Sequence, residues 1–249
     1  MKMEFCAYSK TFQYVYCTFM IWGLLFKMQS SLREYDFLPD SRFDNYLLNH
    51  GLLWELQSVS TLMCAIRCAS FKSCISFYFN NAERRCRGHE TLMLTTEAGV
   101  HENNWNYFYL TKTGKCPTLY AYSKAFEYCV GYEGHFVTDE GLAKCQEHNG
   151  RYLLVRTAEE NRFASLLAYN FDHLTKSQNR QMRIQGTFDF TDMTWKDDNG
   201  NNLTFTQLLT EDVPKADRVL YIKNTHHKEN FTMGYRHGVV HAFITICVI

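Results

Sequence analysis

The 249-residue sequence predicts an α+β fold in which a small disulfide-stapled module precedes a larger domain that is also linked by disulfides. Eight of the ten cysteines follow residue 30 and fall into two groups of four, which favours two domains. Helix-start signals occur in both halves, and each half also has short apolar segments rich in aromatic residues, as β-strands are. Aromatic residues make up 16% of the chain, which favours packed strands over a disordered linker.

The charge balance argues against a nucleic-acid partner. Lys plus Arg and Asp plus Glu number 26 each, so the formal net charge is zero, and the sequence has neither a basic stripe nor an acidic tail. Proteins that bind nucleic acid by neutralising phosphates concentrate positive charge on one surface. We therefore expect no nucleic acid among the partners.

Residues 1–30 are predicted to be a signal peptide. Lys2 and Lys10 precede an uncharged run at residues 11–26, which ends at Lys27. A run of about sixteen residues suits the apolar part of a signal peptide and is short for a membrane-spanning helix. The alternative is an N-terminal anchor that is not cleaved, and only in that case do we expect contact with a membrane. In both cases the rest of the chain is expected to be secreted or extracellular.

The eight cysteines that follow residue 30 are expected to form disulfides. A structural zinc site is the alternative, but no CxxC pair occurs, and the gaps between the cysteines match neither a zinc finger nor a zinc ribbon. An even number of cysteines in an exported chain is typical of a disulfide framework. The cysteines are Cys64, Cys68, Cys74, Cys86, Cys116, Cys129, Cys145 and Cys247.

The first domain is predicted at residues 35–112. A helix is expected there with Ser58 or Ser60 as its N-cap, because a serine oxygen can accept a hydrogen bond from the first free backbone N–H groups. Cys64 and Cys68 lie four residues apart in this helix, so they share one face. Both are expected to point toward the strands that follow.

A hairpin is expected after this helix. Residues 74–79 alternate in character and are rich in aromatic side chains, and a polar turn then leads to Cys86. A helix with two cysteines next to such a hairpin resembles the PAN or apple domain, and the resemblance covers residues 37–110. Four cysteines allow three pairings, and their spacing does not choose among them. The resemblance implies the pairs Cys64–Cys86 and Cys68–Cys74. The sequence lacks the outer cysteine pair of the full apple pattern.

A polar linker at residues 111–115 is predicted to separate the first domain from a second domain at residues 116–249. Thr138 is expected to be the N-cap of a helix that carries Cys145 and that ends at Gly150. The residues of this helix that are expected to face the core are Leu142, Ala143, Cys145 and Gln146.

A short strand and a second helix are expected next. The strand is predicted at residues 151–155, and Thr157 with Glu160 forms a capping box that predicts the start of the helix. The helix is expected to end near Asn170. Its apolar residues at helical spacing are Phe163, Leu166 and Leu167.

Several segments of residues 116–249 occur in a characteristic order. The phrase NGRYLLVRTAEEN lies between the two helices, residues 184–186 read Ile-Gln-Gly, residues 195–198 read Trp-Lys-Asp-Asp, and a FITIC strand comes last. This order closely resembles the C-type lectin-like domain. In that family a WIG core strand corresponds to residues 184–186, and a W-S-D-G loop entry corresponds to residues 195–198. The resemblance implies the pairs Cys116–Cys129 and Cys145–Cys247.

Sugar recognition in that family usually runs through calcium, which requires several oxygen ligands. The long-loop proline corresponds to Pro214, and its neighbours Val213 and Lys215 offer no side-chain oxygen. The family's later triplet falls near residues 235–237, which read Tyr-Arg-His and contain no carboxylate. We therefore expect no cofactor, and in particular no calcium-dependent sugar site at the usual place.

Calcium elsewhere on the loop stays possible. Glu211, Asp212 and Asp217 lie near the loop, although solvated carboxylates are the commoner case. Residues 197–202 resemble the start of a calcium-binding loop, but the sixth position is not glycine and the twelfth is not glutamate. This segment is more simply interpreted as a turn.

No catalytic set and no other metal site are expected. The four histidines toward the end of the chain include a pair four apart, but the segment is predicted to be a strand, where such residues are too far apart to chelate one ion easily. The sequence contains no GxSxG motif and no phosphate-binding loop. The histidines are His226, His227, His237 and His241.

Asn202 and Asn230 begin N-glycosylation sequons. Both lie in the half of the chain that is predicted to be rich in loops, so carbohydrate at each is expected if the chain is exported.

These observations together favour an extracellular, non-enzymatic recognition protein. A C-type lectin-like domain is expected to bind a carbohydrate or an extracellular protein without the usual calcium site, through a long loop at residues 187–233. One alternative is a secreted structural or matrix interaction protein. Another is a membrane-anchored lectin-like receptor, in which the N-terminal segment is retained.

Overall fold

The computed structural model describes residues 35–58, 60–171, 181–204, 218–224, 231–237 and 242–249. The predicted signal peptide lies outside these stretches. The same is true of Glu211, Asp212, Val213, Pro214, Lys215, Asp217, His226, His227, Asn230 and His241. Within the described stretches, no helix combines the length and the apolar character that crossing a membrane requires.

A five-stranded antiparallel sheet with one α-helix packed against it forms the first domain. Its elements are β1 (Asp36–Pro39), β2 (Tyr46–Leu48), β3 (Leu52–Gln57), α1 (Thr61–Ser70), β4 (Ser76–Asn80), β5 (Arg85–His89), β6 (Gly99–His101) and β7 (Trp105–Thr111). The strand order is β1–β7–β4–β5–β3, and β2 pairs separately with β6. Short 3-10 helices lie at Ser41–Phe43 and Thr96–Ala98.

Ser60 is the N-cap of α1, one of the two residues predicted for this role. Its hydroxyl oxygen accepts a hydrogen bond from the backbone N–H of Met63 at 3.3 Å. Cys64 and Cys68 are fully buried on the face that packs against β4 and β5, as their spacing predicted. The disulfides Cys64–Cys86 and Cys68–Cys74 join α1 to the hairpin, and they are the pairs that the PAN resemblance implies.

In its described residues, the second domain contains two helices and an eight-stranded sheet. Its elements are β8 (Ala121–Ser123), β9 (Tyr128–Phe136), α2 (Thr138–Gln146), β10 (Arg151–Tyr152), α3 (Ala158–Tyr169), β11 (Met182–Asp189), β12 (Thr194–Lys196), β13 (Arg218–Asn224), β14 (Phe231–His237) and β15 (Phe243–Val248). The main order is β14–β13–β11–β15–β9–β8, with β10 on β15 and β12 on β11. The predicted α+β class is confirmed.

The strand β15 lies in the middle of this sheet and connects its parts. It pairs with β9 along its whole length, from Phe243 opposite Phe136 to Val248 opposite Val130. Cys247 in this strand forms a disulfide with Cys145 of α2, across a sequence separation of 102. A second disulfide, Cys116–Cys129, fixes the start of the domain. Both pairs are those that the C-type lectin resemblance implies.

The start of α2 differs by one residue from the prediction. Val137 is the N-cap, with an extended backbone, and its carbonyl accepts the first helical hydrogen bond from Gly141 at 2.9 Å. Thr138 is therefore the first residue of the helix and does not cap it. The hydroxyl of Tyr152 donates to the Thr138 carbonyl at 2.6 Å, so a contact with a later strand helps to place the start of the helix.

The buried face of α2 is also narrower than predicted. Gly141 and Cys145 are buried, whereas Ala143 and Gln146 are exposed. A Cβ atom at position 141 would lie 2.7 Å from the hydroxyl oxygen of Thr245. Glycine is required there because the helix lies directly against the central strand.

The end of α2 is set by Asn149 and not by a left-handed glycine. The helix ends at Gln146, and Asn149 takes the left-handed conformation with φ of 58°. Gly150 follows and is buried against the carbonyl oxygen of Val248, 2.8 Å from where its Cβ would be. The predicted strand after it is shortened to Arg151–Tyr152.

The capping box at the start of α3 forms with one change, because the glutamate side chain accepts from the backbone N–H of the residue before the N-cap. The Thr157 hydroxyl oxygen accepts a hydrogen bond from the backbone N–H of Glu160 at 3.1 Å. The Glu160 carboxylate accepts from the backbone N–H of Arg156 at 2.6 Å, and from the guanidinium of the same residue at 2.7 Å. Because Glu160 is buried, this local pair satisfies a carboxylate that would otherwise be costly.

We expect Thr157→Ala to lower the free energy of unfolding by about 1 kcal/mol, since the Glu160 N–H loses its acceptor. Equilibrium urea denaturation measures this change. Thr157→Ser keeps the hydroxyl oxygen and is the matched control, with stability close to the original. An alanine variant as stable as the serine variant would contradict the capping role.

The two domains share one hydrophobic core. A continuous cluster of buried side chains includes Phe43 and Tyr107 from the first domain and Val130 and Leu167 from the second. The two sheets are separate in hydrogen bonding, but this cluster is continuous across both domains in the described chain. The domains are therefore packed together as one body.

Asn170, the C-cap of α3, is the main polar contact across this interface. It is fully buried; its side-chain N–H donates to the carbonyl of Leu92 at 3.0 Å, and its side-chain oxygen accepts from the backbone N–H of Leu94 at 2.9 Å. The hydroxyl of Thr95 also donates to the Asn170 carbonyl. One side-chain amide thus provides hydrogen-bond partners for backbone groups in a loop of the first domain, which would otherwise be buried without them.

Lys124 provides a second polar contact between the domains. Its ammonium group donates to the carbonyls of Cys68 and Ala69 at 2.8 and 2.9 Å, at the C-terminal end of α1. A cation is favourable at this end of a helix because of the helix dipole. Burial lowers the pKa of Lys124 to about 8, so the group remains charged in neutral solution.

Candidate functional site

The face on which a long loop was predicted contains regular structure. Thr187 in β11 pairs with Lys196 in β12 on one side and with Val219 in β13 on the other. The prediction of one continuous loop at residues 187–233 is therefore wrong over its described part, because backbone N–H and C=O groups there are paired in the sheet. The candidate binding face consists of the β11–β12 hairpin and the turn that follows it.

The tip of this hairpin is apolar and exposed. Phe190 and Met193 are 42% and 54% exposed, and Met193 takes a left-handed conformation with φ of 56°. Phe190 packs edge-on against Phe188 with ring centroids 5.1 Å apart, and Phe188 packs in the same way on Trp195 at 5.3 Å. Trp195 is buried, so the aromatic side chain available to a ligand is Phe190.

The carboxylates of the hairpin are already paired with a cation. The ammonium group of Lys196 lies 2.6 Å from the carboxylate of Asp189 and also forms an ion pair with Asp192. The hydrogen bond from Lys196 lowers the pKa of Asp189 to about 2. The Asp189 carboxylate is therefore ionised in neutral solution, and Lys196 partly balances the negative charge of the hairpin.

The segment at residues 197–202 forms a turn, as predicted, and not an open ring of oxygens. The Asp197 carboxylate accepts hydrogen bonds from the backbone N–H groups of Asn199 at 2.9 Å and Asn201 at 2.8 Å. Burial alone would raise the pKa of Asp197, but these hydrogen bonds hold the pKa below its ordinary value. Gly200 closes the turn in a left-handed conformation with φ of 80°.

Asp198 is an exposed residue of this turn, and its carboxylate lies near a buried cation. Arg183 in β11 is only 2% exposed; its guanidinium donates to the Leu220 carbonyl at 2.9 Å and lies over the Tyr152 ring at 5.0 Å. Burial lowers the pKa of Arg183 to about 10, so it stays charged at neutral pH. Burial also raises the pKa of Asp198, and the nearby Arg183 opposes that rise.

The described part of the chain contains no group of three or more His, Cys, Asp or Glu side chains that could hold a metal ion. The predicted glycosylation residue Asn202 is exposed, and its side-chain oxygen accepts a hydrogen bond from the Thr194 hydroxyl at 3.2 Å. Residues 213–215, where the usual calcium site is expected to be missing, lie outside the described stretches. The backbone of residues 235–237 lies in β14, opposite the start of β13.

Sequence reasoning missed Phe190, Met193 and Arg183 as residues of this face. A signal exists for the first two, because they are apolar residues inside the polar segment of residues 189–194. Arg183 lies between apolar residues of a buried strand, where a charged side chain is unusual and indicates a buried partner. None of these signals says which side chains meet in space.

Comparison with known families identifies the first domain. Residues 41–116 match the family model of the PAN domain. These residues form a PAN domain. Within the PAN domain, the helix and hairpin that carry the resemblance are α1, β4 and β5, joined by two disulfides. No curated protein matches the chain in sequence.

Solved C-type lectins are structural neighbours of the chain outside the PAN domain. The complex of SPL-1 with GlcNAc is 15% identical, with a TM-score of 0.41, and the match covers 55% of this chain and 96% of that one. CEL-IV is 15% identical with a TM-score of 0.45, over 54% and 93%. The Ca2+-independent C-type lectin SPL-2 from Saxidomus purpuratus is 15% identical with a TM-score of 0.41, over 54% and 93%. Likeness at these identities concerns the fold alone.

Proposed function

We propose that the chain is an extracellular, non-enzymatic, lectin-like recognition protein that binds its ligand at the β11–β12 hairpin without calcium at the family's usual site. One observation carries this proposal. Lys196 holds the carboxylates of Asp189 and Asp192, and backbone N–H groups hold that of Asp197. Phe190 and Met193 at the hairpin tip are exposed.

Calcium is disfavoured at the described part of the face for a physical reason. The ion needs six to eight oxygen ligands. Recruiting Asp189 would break its 2.6 Å ion pair with Lys196, and would leave that ammonium group close to the incoming dication. Recruiting Asp197 would remove the hydrogen bonds that form its turn. Each recruitment costs interactions that the domain already makes.

The exposed tip favours a protein ligand. A phenylalanine on a rigid aromatic base and a methionine beside it can bury apolar area against a partner at little cost in ordering. Residues of this kind form the buried centre of protein interfaces. A glycan is the second candidate, because the face of Phe190 is also able to stack on the apolar face of a sugar ring.

An extracellular location is supported by the disulfides. Four disulfides join the eight cysteines that follow residue 30, and such frameworks persist in oxidising compartments. The predicted signal peptide agrees with this location. The secreted structural protein and the anchored receptor, considered above, would use the same surface.

The test measures binding of the purified full chain to arrays of extracellular proteins and of glycans, with calcium and with EDTA. We expect binding that EDTA leaves unchanged, and we expect Phe190→Ser combined with Met193→Ser to weaken it at least tenfold. The expected loss follows from removing buried apolar area at the centre of the contact.

Leu62→Ser with Met63→Ser is the matched control, because these residues are also exposed apolar neighbours, at 63% and 51%, but lie on α1 of the PAN domain. This variant is expected to bind normally. Binding that disappears in EDTA would overturn the calcium-independent site, and equal loss in both variants would overturn the role of the hairpin tip. The array type that responds identifies the ligand class.

A further inference from the structure

A partly buried histidine of the PAN domain lies in the interface between the two domains, and its ring nitrogens are buried. His50, in the loop between β2 and β3, packs on Tyr169 near the end of α3, with ring centroids 4.4 Å apart. Both ring nitrogens are inaccessible to water, and neither has a hydrogen-bond partner at normal geometry. The backbone of Leu166 favours a charged ring, but burial disfavours it more strongly. The site therefore accommodates a neutral imidazole and offers little to an imidazolium.

A second buried histidine lies directly behind the first. The ring nitrogen Nδ1 of His89 is 3.1 Å from the carbonyl oxygen of His50, and the residue is fully buried. Its other nitrogen, Nε2, has no partner. The ring also packs edge-on against Tyr78, with centroids 5.3 Å apart. The two histidines are linked through the backbone carbonyl of His50, with His50 against α3 and His89 on the PAN-domain side.

The charges around this pair disfavour a proton. Arg87 and a charged His50 both act against protonation of His89, and in the described chain no carboxylate contributes to the pKa of either histidine. The other charged side chains on the packed elements form ion pairs of their own or are exposed. They are Glu90 with Arg162, Arg85 and Arg87 with Glu55, Arg156 with Glu160, and the exposed Glu159.

Burial lowers the pKa of His50 and of His89 to about 4. Against an ordinary imidazole value of about 6.5, the closed interface binds each proton roughly 300-fold more weakly than an exposed histidine does. The lowered pKa agrees with the geometry, in which Nε2 of His89 has no partner and the charged side chain that acts on this ring is the cation Arg87.

We propose that this interface is a pH-sensitive joint. Neutral His50 and His89 allow the PAN domain and the second domain to pack together, and protonation of the pair in mildly acidic solution separates them. The ion pair of Glu90 with Arg162 and the hydrogen bonds of Asn170 cross the same interface. These contacts break when the joint opens.

The direction of the effect follows from proton linkage. An exposed histidine takes up its proton as the pH falls through about 6.5, whereas the buried pair resists until about pH 4, so the open state gains protons first. The closed state is fully favoured above about pH 6.5, and it loses stability as the pH falls from about 6.5 to about 4. At pH 4.5 the opening equilibrium shifts by roughly 80-fold for each histidine.

The experiment is small-angle scattering of the full chain from pH 7.5 to 4.5, with far-UV circular dichroism on the same samples. We expect the radius of gyration to rise below about pH 6 while the dichroism signal is kept. His50→Phe combined with His89→Asn removes both titrating rings but retains the packing on Tyr169 and an N–H donor toward the carbonyl of residue 50. This variant is expected to stay compact at pH 4.5.

A substitution of the exposed His101 by Asn is the matched control and should open like the original chain. The proposal is overturned if the original chain stays compact at pH 4.5, if the double variant opens at the same pH, or if dichroism is lost together with compactness, since the last result means unfolding of the whole chain. A double variant that is already unfolded at pH 7.5 is replaced by His50→Phe alone, which should show about half of the shift on a logarithmic scale.

Discussion

Replacing Cys145 and Cys247 together by alanine is expected to lower the free energy of unfolding by roughly 4 to 5 kcal/mol. The bond between them closes a loop with a sequence separation of 102, so its loss releases most of the second domain in the unfolded state. Both sulfur atoms are also fully buried between α2 and the central strand β15. Urea denaturation of the oxidised proteins measures the change.

The matched control is the pair Cys116→Ala and Cys129→Ala, which opens a loop with a sequence separation of 13. A smaller loss of about 3 kcal/mol is expected, because closing a short loop removes less entropy from the unfolded chain. Equal losses in the two variants would show that loop length does not decide the effect, and that native packing around the sulfur atoms does.

Asn170→Leu is expected to lower the free energy of unfolding by roughly 3 to 5 kcal/mol, since it leaves several buried backbone groups without partners. The side-chain amide of Asn170 donates to the carbonyls of Leu92 and Leu167 and accepts from the N–H of Leu94. Leucine has a similar volume but offers no hydrogen bond. The loss is expected in thermal or urea unfolding of the full chain.

Asn106→Leu is the control for this substitution, because Asn106 is exposed on β7. Its effect is expected to stay within about 0.5 kcal/mol. If Asn170→Leu is equally mild, the amide contributes little across the interface, and the shared apolar cluster alone holds the two domains together.

The elements of the second domain could be predicted from local signals, but their exact limits could not. Thr157 and Glu160 are three residues apart, so their capping contact was visible in the sequence and forms in the structure. The start of α2 was misplaced because Tyr152, fourteen residues later, bonds to the Thr138 carbonyl. A local pattern does not contain such a contact.

The candidate site was predicted less completely, for the same reason. The turn at Asp197 follows from residue types that are close in sequence, and the structure has it. The apolar tip at Phe190 depends on β12 folding back onto β11, and the buried Arg183 depends on a carbonyl in β13. The interface amide of Asn170 meets a loop 76 residues earlier, which no period or motif indicates.

The central position of β15 also has a consequence for the rate of folding. The residues of β9 must find partners more than a hundred positions later before the middle of the sheet exists, as the register of Val130 with Val248 shows. Contacts this distant in sequence form only after a long loop has closed, and closing the loop costs entropy before the new packing stabilises the chain. Folding is therefore expected to take milliseconds to seconds and not microseconds. During that interval one edge of β9 and one edge of β11 are unpaired, and pairing with β15 is the step that ends their exposure.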